Sequence, residues 1–170
     1  LRKAPQPCNS TINYRIKAID SNGHFSYSDT AANEALDTIN PDRTTLTNVS
    51  VIRDSVVRID FKGADSLDIF AYDVQRQRDS GRFTLAERVI FDSAGGTFTV
   101  FDTTNTRTGQ LCYSVLTQDS CLNTVSSDTF CAIQLEGQPK NQANRLTWEA
   151  FKGYPLDTQL LLRKAGSAYD

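Results

Sequence analysis

Apolar and polar residues alternate with a period of two along most of the central chain. The pattern predicts short strands at residues 46–52, 55–61, 69–77, 82–91, 97–102, 111–118 and 125–135. Turn residues separate them: Arg53-Asp54, Gly63-Ala64-Asp65, Asp79-Ser80-Gly81, Ala94-Gly95-Gly96 and the stretch 105–109. No stretch of about twelve residues shows a convincing 3.6-residue apolar period. Seven short strands in about 90 residues are the pattern of a β-sandwich. The alternation puts Phe61, Tyr72, Tyr113 and Val115 on inward faces, where they are expected to form the core.

Composition strengthens the strand-and-turn reading. The 170 residues include 16 Asp but 4 Glu, with 14 Ser and 18 Thr. Thr suits strands and Asp and Ser suit turns, whereas Glu favours helices. The net charge of -2 gives no basic footprint for nucleic acid. No run of 18 apolar residues exists to span a membrane. The chain opens at Leu1 rather than Met and shows no signal peptide, which reads as a processed or excerpted piece.

The chain also repeats itself. Shifted by 99 residues, segment 14–36 lies on segment 113–135 without a gap, and 7 of 23 positions are identical. They are Tyr14/Tyr113, Asp20/Asp119, Ser21/Ser120, Ser28/Ser127, Asp29/Asp128, Thr30/Thr129 and Leu36/Leu135. A period near 100 is the length of one sandwich module. Downstream, RLTW at 145–148 echoes RIDF at 58–61, and QLLLRK at 159–164 echoes the YDVQRQ region. The expected organisation is therefore the closing strands of one module at 1–36, a complete module at 37–136, and the opening strands of a third at 137–170. The third is expected to begin abruptly, because no clear first strand precedes Arg145.

These residues resemble fibronectin type III modules, which are all-β, immunoglobulin-like sandwiches. The likeness rests on an aromatic in the second strand (Phe61, Trp148), a Tyr in the third (Tyr72), and Tyr-x-hydrophobic in the sixth (Tyr14-x-Ile16-x-Ala18, Tyr113-x-Val115-x-Thr117). In that family the sixth-strand Tyr makes a tyrosine corner that pins the loop crossing between sheets. Phe61 stands where Trp is usual, and the proline usual before the corner is absent at both sites. Residues 101–148 also resemble modules just upstream of the gliding-motility-associated, type B C-terminal sorting domain. Proteins with that domain are exported by Bacteroidota through type IX secretion. The shared features are Cys-Tyr-x-Val, Asp-x-Cys, a third Cys before Ile-x-Leu, and Asn-x-Leu-x-Trp.

Candidate chemistry is sparse. Cys112, Cys121 and Cys131 lack the Cys-x-x-Cys or His partners of a zinc site. An extracellular disulfide suits them better. If the hairpin turns near Cys121, Cys112 and Cys131 fall opposite each other and can bridge; the upstream copy carries Asn13 and Ala32 there. Cys8 and Cys121 are left without an assigned partner, with Cys8 free to pair outside the stretch. His24 follows Asn22-Gly23 and reads as a solvated turn residue. The pairs Asp65/Asp68 and Asp119/Asp128 could serve acid–base chemistry or calcium, but Asp is also the favoured turn residue. Arg76, Arg78, Arg82 and Arg88 could form a binding patch, or the charged wet face of an antiparallel sheet.

Eleven of the 16 Asp residues precede Ser or Thr, against about three by chance from 32 Ser and Thr in 170. Seven of these triplets resemble the O-glycan acceptor signal of exported Bacteroidota proteins, with acceptors Thr30, Thr38, Ser55, Ser66, Ser93, Thr103 and Ser120. Ordinary turn chemistry accounts for part of the excess. The sequons at Asn9 and Asn48 carry less weight, because such triplets arise easily.

No residue is nominated as catalytic, and no cofactor or metal is expected. The sequence reads as non-catalytic spacer and interaction modules of an extracellular, secreted or surface-attached protein. The resemblance implies type IX cargo linked to gliding or adhesion. Its partners would be neighbouring modules, the secretion machinery or other surface proteins, with no nucleic acid and no membrane-spanning segment. The alternative is an accessory module of an extracellular polysaccharide-degrading enzyme whose catalytic domain lies elsewhere.

Overall fold

The computed structural model describes residues 8, 10–66, 68–90, 96–165 and 168–169. All regular structure among them is β, and no helix is long and apolar enough to cross a membrane.

Four short strands open the chain: β1 (Ser10–Tyr14), β2 (Lys17–Ile19), β3 (Phe25–Tyr27) and β4 (Ala31–Ala35). They form one interrupted antiparallel hairpin, in which β1 pairs with β4 and β2 with β3. The central region follows with β5 (Thr45–Arg53), β6 (Val56–Lys62), β7 (Ile69–Arg78), β8 (Thr84–Ile90), β9 (Thr97–Thr103), β10 (Leu111–Asp119), β11 (Thr124–Ser126) and β12 (Phe130–Cys131). One sheet runs β5-β6-β9; the other runs β8-β7-β10-β11, with β12 continuing on β10. The two face each other as an immunoglobulin-like sandwich.

Strands form where β-branched and aromatic residues alternate, because one pleated face must be buried. Val57, Ile59 and Phe61 from β6 meet Tyr72, Val74, Tyr113 and Val115 from the opposite sheet, and all seven are fully buried. Phe61, Tyr72 and Phe98 pack ring on ring, with centroids 5.2–5.4 Å apart. Gly63 lies against this trio: a Cβ there would come within 2.8 Å of Phe98 and of the Tyr72 hydroxyl.

The sequence placed the last central strand at 125–135. It is broken instead, because Ser127 leaves the ladder: its Oγ accepts from the Val115 N–H and donates to the Asp128 carbonyl. Leu135 belongs to the next element. A first strand does precede Arg145: β13 (Leu135–Lys140) pairs with β14 (Ala143–Trp148). Leu135 lies opposite Trp148 as Leu46 lies opposite Phe61 in β5–β6. Strands β15 (Lys164–Ala165) and β16 (Ala168–Tyr169) form a last short pair.

The segment after β14 returns to the central sandwich. The Cys131 N–H donates to the Lys152 carbonyl at 2.8 Å, and Lys152 Nζ reaches Gln110 Oε1. Phe151 and Tyr154 pack edge-on against Phe130, with centroids 6.0 and 5.5 Å away.

Candidate functional site

The 99-residue repeat holds at the level of individual hydrogen bonds. In the central copy β10 meets β11 and β12 through Leu116↔Ser126, Thr117↔Val125, Gln118↔Thr124, Cys112↔Cys131 and Tyr113↔Phe130. Upstream the pairs are Lys17↔Tyr27, Ala18↔Ser26, Ile19↔Phe25, Asn13↔Ala32 and Tyr14↔Ala31, the same register shifted by 99. Ser28 breaks its ladder as Ser127 does: its Oγ accepts from the Ile16 N–H and donates to the Asp29 carbonyl.

The hairpin tips match too. Asp119 Oδ1 accepts the N–H groups of Cys121 and Asn123, both at 2.8 Å, and Oδ2 accepts Asn123 Nδ2 at 2.9 Å. Asp20 Oδ1 accepts the N–H groups of Asn22 and His24, both at 2.9 Å, and Oδ2 contacts His24 Nδ1 at 2.8 Å. A carboxylate with two oxygens is what lets one side chain close a five-residue tip on both flanks. His24 is therefore the turn partner of Asp20, in the place Asn123 takes downstream. That hydrogen bond is the main reason the Asp20 carboxyl lies below the ordinary carboxylate range.

Three aspartates converge at the central tip. Asp37 from the incoming segment, Asp68 before β7, and Asp119 each bring a carboxylate oxygen within 4.8 Å of the others. Asn123 Nδ2 donates to the Asp37 carbonyl, and Ser120 donates to the Asp68 carbonyl through both N–H and Oγ. Hard oxygens of this kind suit Ca²⁺ or Mg²⁺, but calcium takes about six to eight of them. Asp119 is already committed to the tip, Asp37 accepts the Ile39 N–H, and Asp68 accepts Ser66 Oγ. The cluster thus braces the junction between the incoming segment and the sandwich. Of the carboxylate pairs read from sequence, Asp128 instead contacts Arg43 at 3.0 Å and Asp65 contacts Lys62 at 3.9 Å.

The two disulfides hold opposite ends of the β10 hairpin. Cys112 bonds Cys131 across β10–β12. Cys8 bonds Cys121 at the hairpin tip, so the two cysteines without an assigned partner are partners of each other. The open end of the β1–β4 pair abuts the tip there, a contact between segments far apart in sequence that strand alternation cannot reveal. No free cysteine is found among the described residues, and two disulfides suit an oxidising environment.

The arginines are not one wet face. Arg76 has the parity of Tyr72 and Val74 on β7 and points inward at the sandwich end. Its Nη1 donates to both oxygens of buried Asp102 at 2.8 Å. The Tyr113 hydroxyl donates to Asp102 Oδ2, also at 2.8 Å. A buried carboxylate needs such partners. This differs from the tyrosine corner of fibronectin type III modules, whose hydroxyl bonds backbone: Tyr113 pins the end of β9 through a side chain. Burial first, then Asp102, pushes the Tyr113 phenol far above its ordinary range, so it stays a donor. Arg78 donates to Thr104, Asn105 and Thr108 in the loop after β9. Arg88 pairs across strands with Asp73 at 2.6 Å, and Arg82 is exposed.

Of the Asp-led acceptors, Thr30, Thr38, Ser55, Thr103 and Ser120 are exposed, and Thr103 lies within β9 rather than in a turn. Ser66 is partly buried, and its Oγ is engaged by Asp68. Ser93 and Asn9 lie outside the described residues. Compared with known protein families and with curated proteins, the chain matches none.

Proposed function

We propose that this chain is a run of non-catalytic, fibronectin type III-like modules serving as spacer and interaction scaffold in a secreted or cell-surface protein. The observation that carries this reading is the repeat. One hairpin recurs with its register and hydrogen bonds after 99 residues, the length of one sandwich module. Fastened joints on both sides support it: Cys8–Cys121 at one pole, and the Lys152 bridge with the Phe130 ring cluster toward the other. The position of β8 beside β7 supports the fibronectin type III arrangement, since constant immunoglobulin domains put their fourth strand on the other sheet.

In this reading residues 1–36 close one module, 37–134 form a whole one, and 135–170, starting with β13, open a third. The sequence resemblance makes the array cargo of Bacteroidota type IX secretion, with neighbouring modules, the secretion machinery and other surface proteins as partners. Five of the seven candidate acceptors are exposed, which meets the access a bulky glycan needs.

One observation favours the accessory-module alternative: Phe25 and Tyr27 are exposed on the outer face of β3. Their rings lie at 67°, however, and do not make the flat platform on which a sugar chain stacks. Affinity electrophoresis of the chain in gels containing soluble xylan, β-glucan or starch tests the choice. The spacer reading expects unchanged mobility. Retardation by one polysaccharide would replace it with the accessory-module reading.

A further inference from the structure

The pairing of the four cysteines sets how far the chain can be stretched. Cys8 is bonded to Cys121 across a sequence separation of 113, and Cys112 to Cys131 across 19. Cys121 lies inside the second loop. Tension entering from the N-terminal side leaves the backbone at Cys8, crosses a covalent bond and re-enters at Cys121. From there it reaches Cys131 by two short routes. One runs forward through β11 and β12; the other runs back along β10 to Cys112 and across the second bond. Residues 10–111, with β5 to β9 and most of the core, lie off the load path.

We propose that the Cys8–Cys121 bond is a tension shunt, which holds the central sandwich on a covalent bypass and limits the extension of this module under pull. The limit on extension follows from connectivity; its use by the protein rests on the spacer reading above. An unbridged chain from Cys8 to Cys131 could reach roughly 430 Å at the ~3.5 Å per residue of extended backbone. The bridged path is about ten residues long and can reach roughly 35 Å. Part of the bypass is already extended: Thr124–Ser126 and Phe130–Cys131 are strand, while the turn at the tip and the break at Ser127 hold what slack there is.

The geometry places the bridge ends where a shunt needs them. Cys121 is at the hairpin tip that faces the incoming segment, beside the Asp37, Asp68 and Asp119 cluster. Cys131 is where the chain leaves the sandwich, and its N–H is held by Lys152 of the following segment. Cys112–Cys131 contributes nothing to the length limit, because the forward route through β11 and β12 exists without it. That bond braces the exit strand instead.

Single-molecule stretching of the whole chain between its two ends tests the proposal. Fully extended, the oxidised chain should be shorter than the same chain reduced with a dithiol and alkylated by about 400 Å. Cys8→Ser should recover about 330 Å of that under oxidising conditions, the remainder staying closed in the Cys112–Cys131 loop. The double variant Cys112→Ser, Cys131→Ser should keep the short length. Because full extension is read after unfolding, a variant that folds poorly still reports its contour. Equal lengths for the oxidised chain and Cys8→Ser would overturn the shunt and leave the spacer reading standing. Polysaccharide retardation in the gel assay would overturn the spacer reading and leave the length difference intact.

Discussion

The β1–β4 hairpin and the β10–β12 hairpin are the same local structure in opposite surroundings. Register, broken ladder and aspartate-closed tip agree position by position. Burial does not: Tyr113 and Val115 are 0% exposed, while Tyr14 and Ile16 are 57% and 73% exposed. The hydrogen-bonding side chains Asp, Ser and Asn or His are therefore enough to specify the hairpin. The core is a separate matter, supplied by β6, β7 and β9 only in the central copy. The largest effect should follow from this contrast. Tyr113→Ala should destabilise the sandwich by about 3–5 kcal/mol, and Tyr14→Ala should change stability by about 0.5 kcal/mol or less. Urea unfolding of both variants measures it, and similar costs at the two sites would mean that Tyr14 is covered in solution.

The bridges come next. The upstream copy holds its register with Asn13 opposite Ala32, where the central copy has bonded Cys112 and Cys131. The bond is thus unnecessary for register but restricts the unfolded chain. Replacing both cysteines with Ser should cost about 3 kcal/mol, the value for a loop of this size. The Leu111–Asp119 amides should keep their pattern of hydrogen-exchange protection. A shifted pattern would show that the bridge, not the side-chain chemistry of the turn, fixes the pairing.

This contrast also explains what the sequence made legible. Alternation marked Phe61, Tyr72, Tyr113 and Val115 as core, because a buried pleated face leaves a period of two. The repeat was visible because its identities include Asp20/Asp119 and Ser28/Ser127, the residues that make the hairpin's own bonds. The Cys8–Cys121 bridge left no such trace, since it joins segments separated by 113 residues at a pole. Strand β13 escaped notice because its six residues are all exposed and include Gly137 and Pro139, which weaken any strand pattern. Arg76 was misread because a charge at an inward parity looks like a wet face until Asp102 is seen behind it. The Asp37, Asp68 and Asp119 cluster was hidden for another reason: each aspartate looked like an ordinary turn residue, and each is one, yet the turns meet.

A finer difference lies at the tips. Gly23 and Leu122 occupy equivalent positions with φ of 87° and 69°. Only glycine adopts that region without a Cβ penalty. Leu122 is also exposed, so it gains little from packing in exchange. Leu122→Gly should make the central tip more like the upstream one and stabilise the sandwich by about 0.5–1 kcal/mol. A loss of stability on thermal unfolding would mean that the leucine side chain has a partner in solution.

The smallest effect separates His24 from Asn123, the two residues that close the tips on Asp20 and Asp119. The Asp20 carboxyl is held below its ordinary value, first by the His24 side chain and further by backbone N–H groups of the turn. A group with a lowered folded pKa stabilises the hairpin at pH above its unfolded value of about 3.9, and that contribution fades as pH falls through the lower folded value. Protection of the Asn22 and His24 amides should therefore be full near neutral pH and fade only on acidification through that range. In His24→Ala the largest cause is removed. The Asp20 midpoint, followed by carboxyl carbon NMR, should rise toward the ordinary value, and loss of amide protection should begin at higher pH. An unchanged midpoint would show that the backbone amides alone hold the Asp20 carboxylate, and that the imidazole merely fills the place of Asn123.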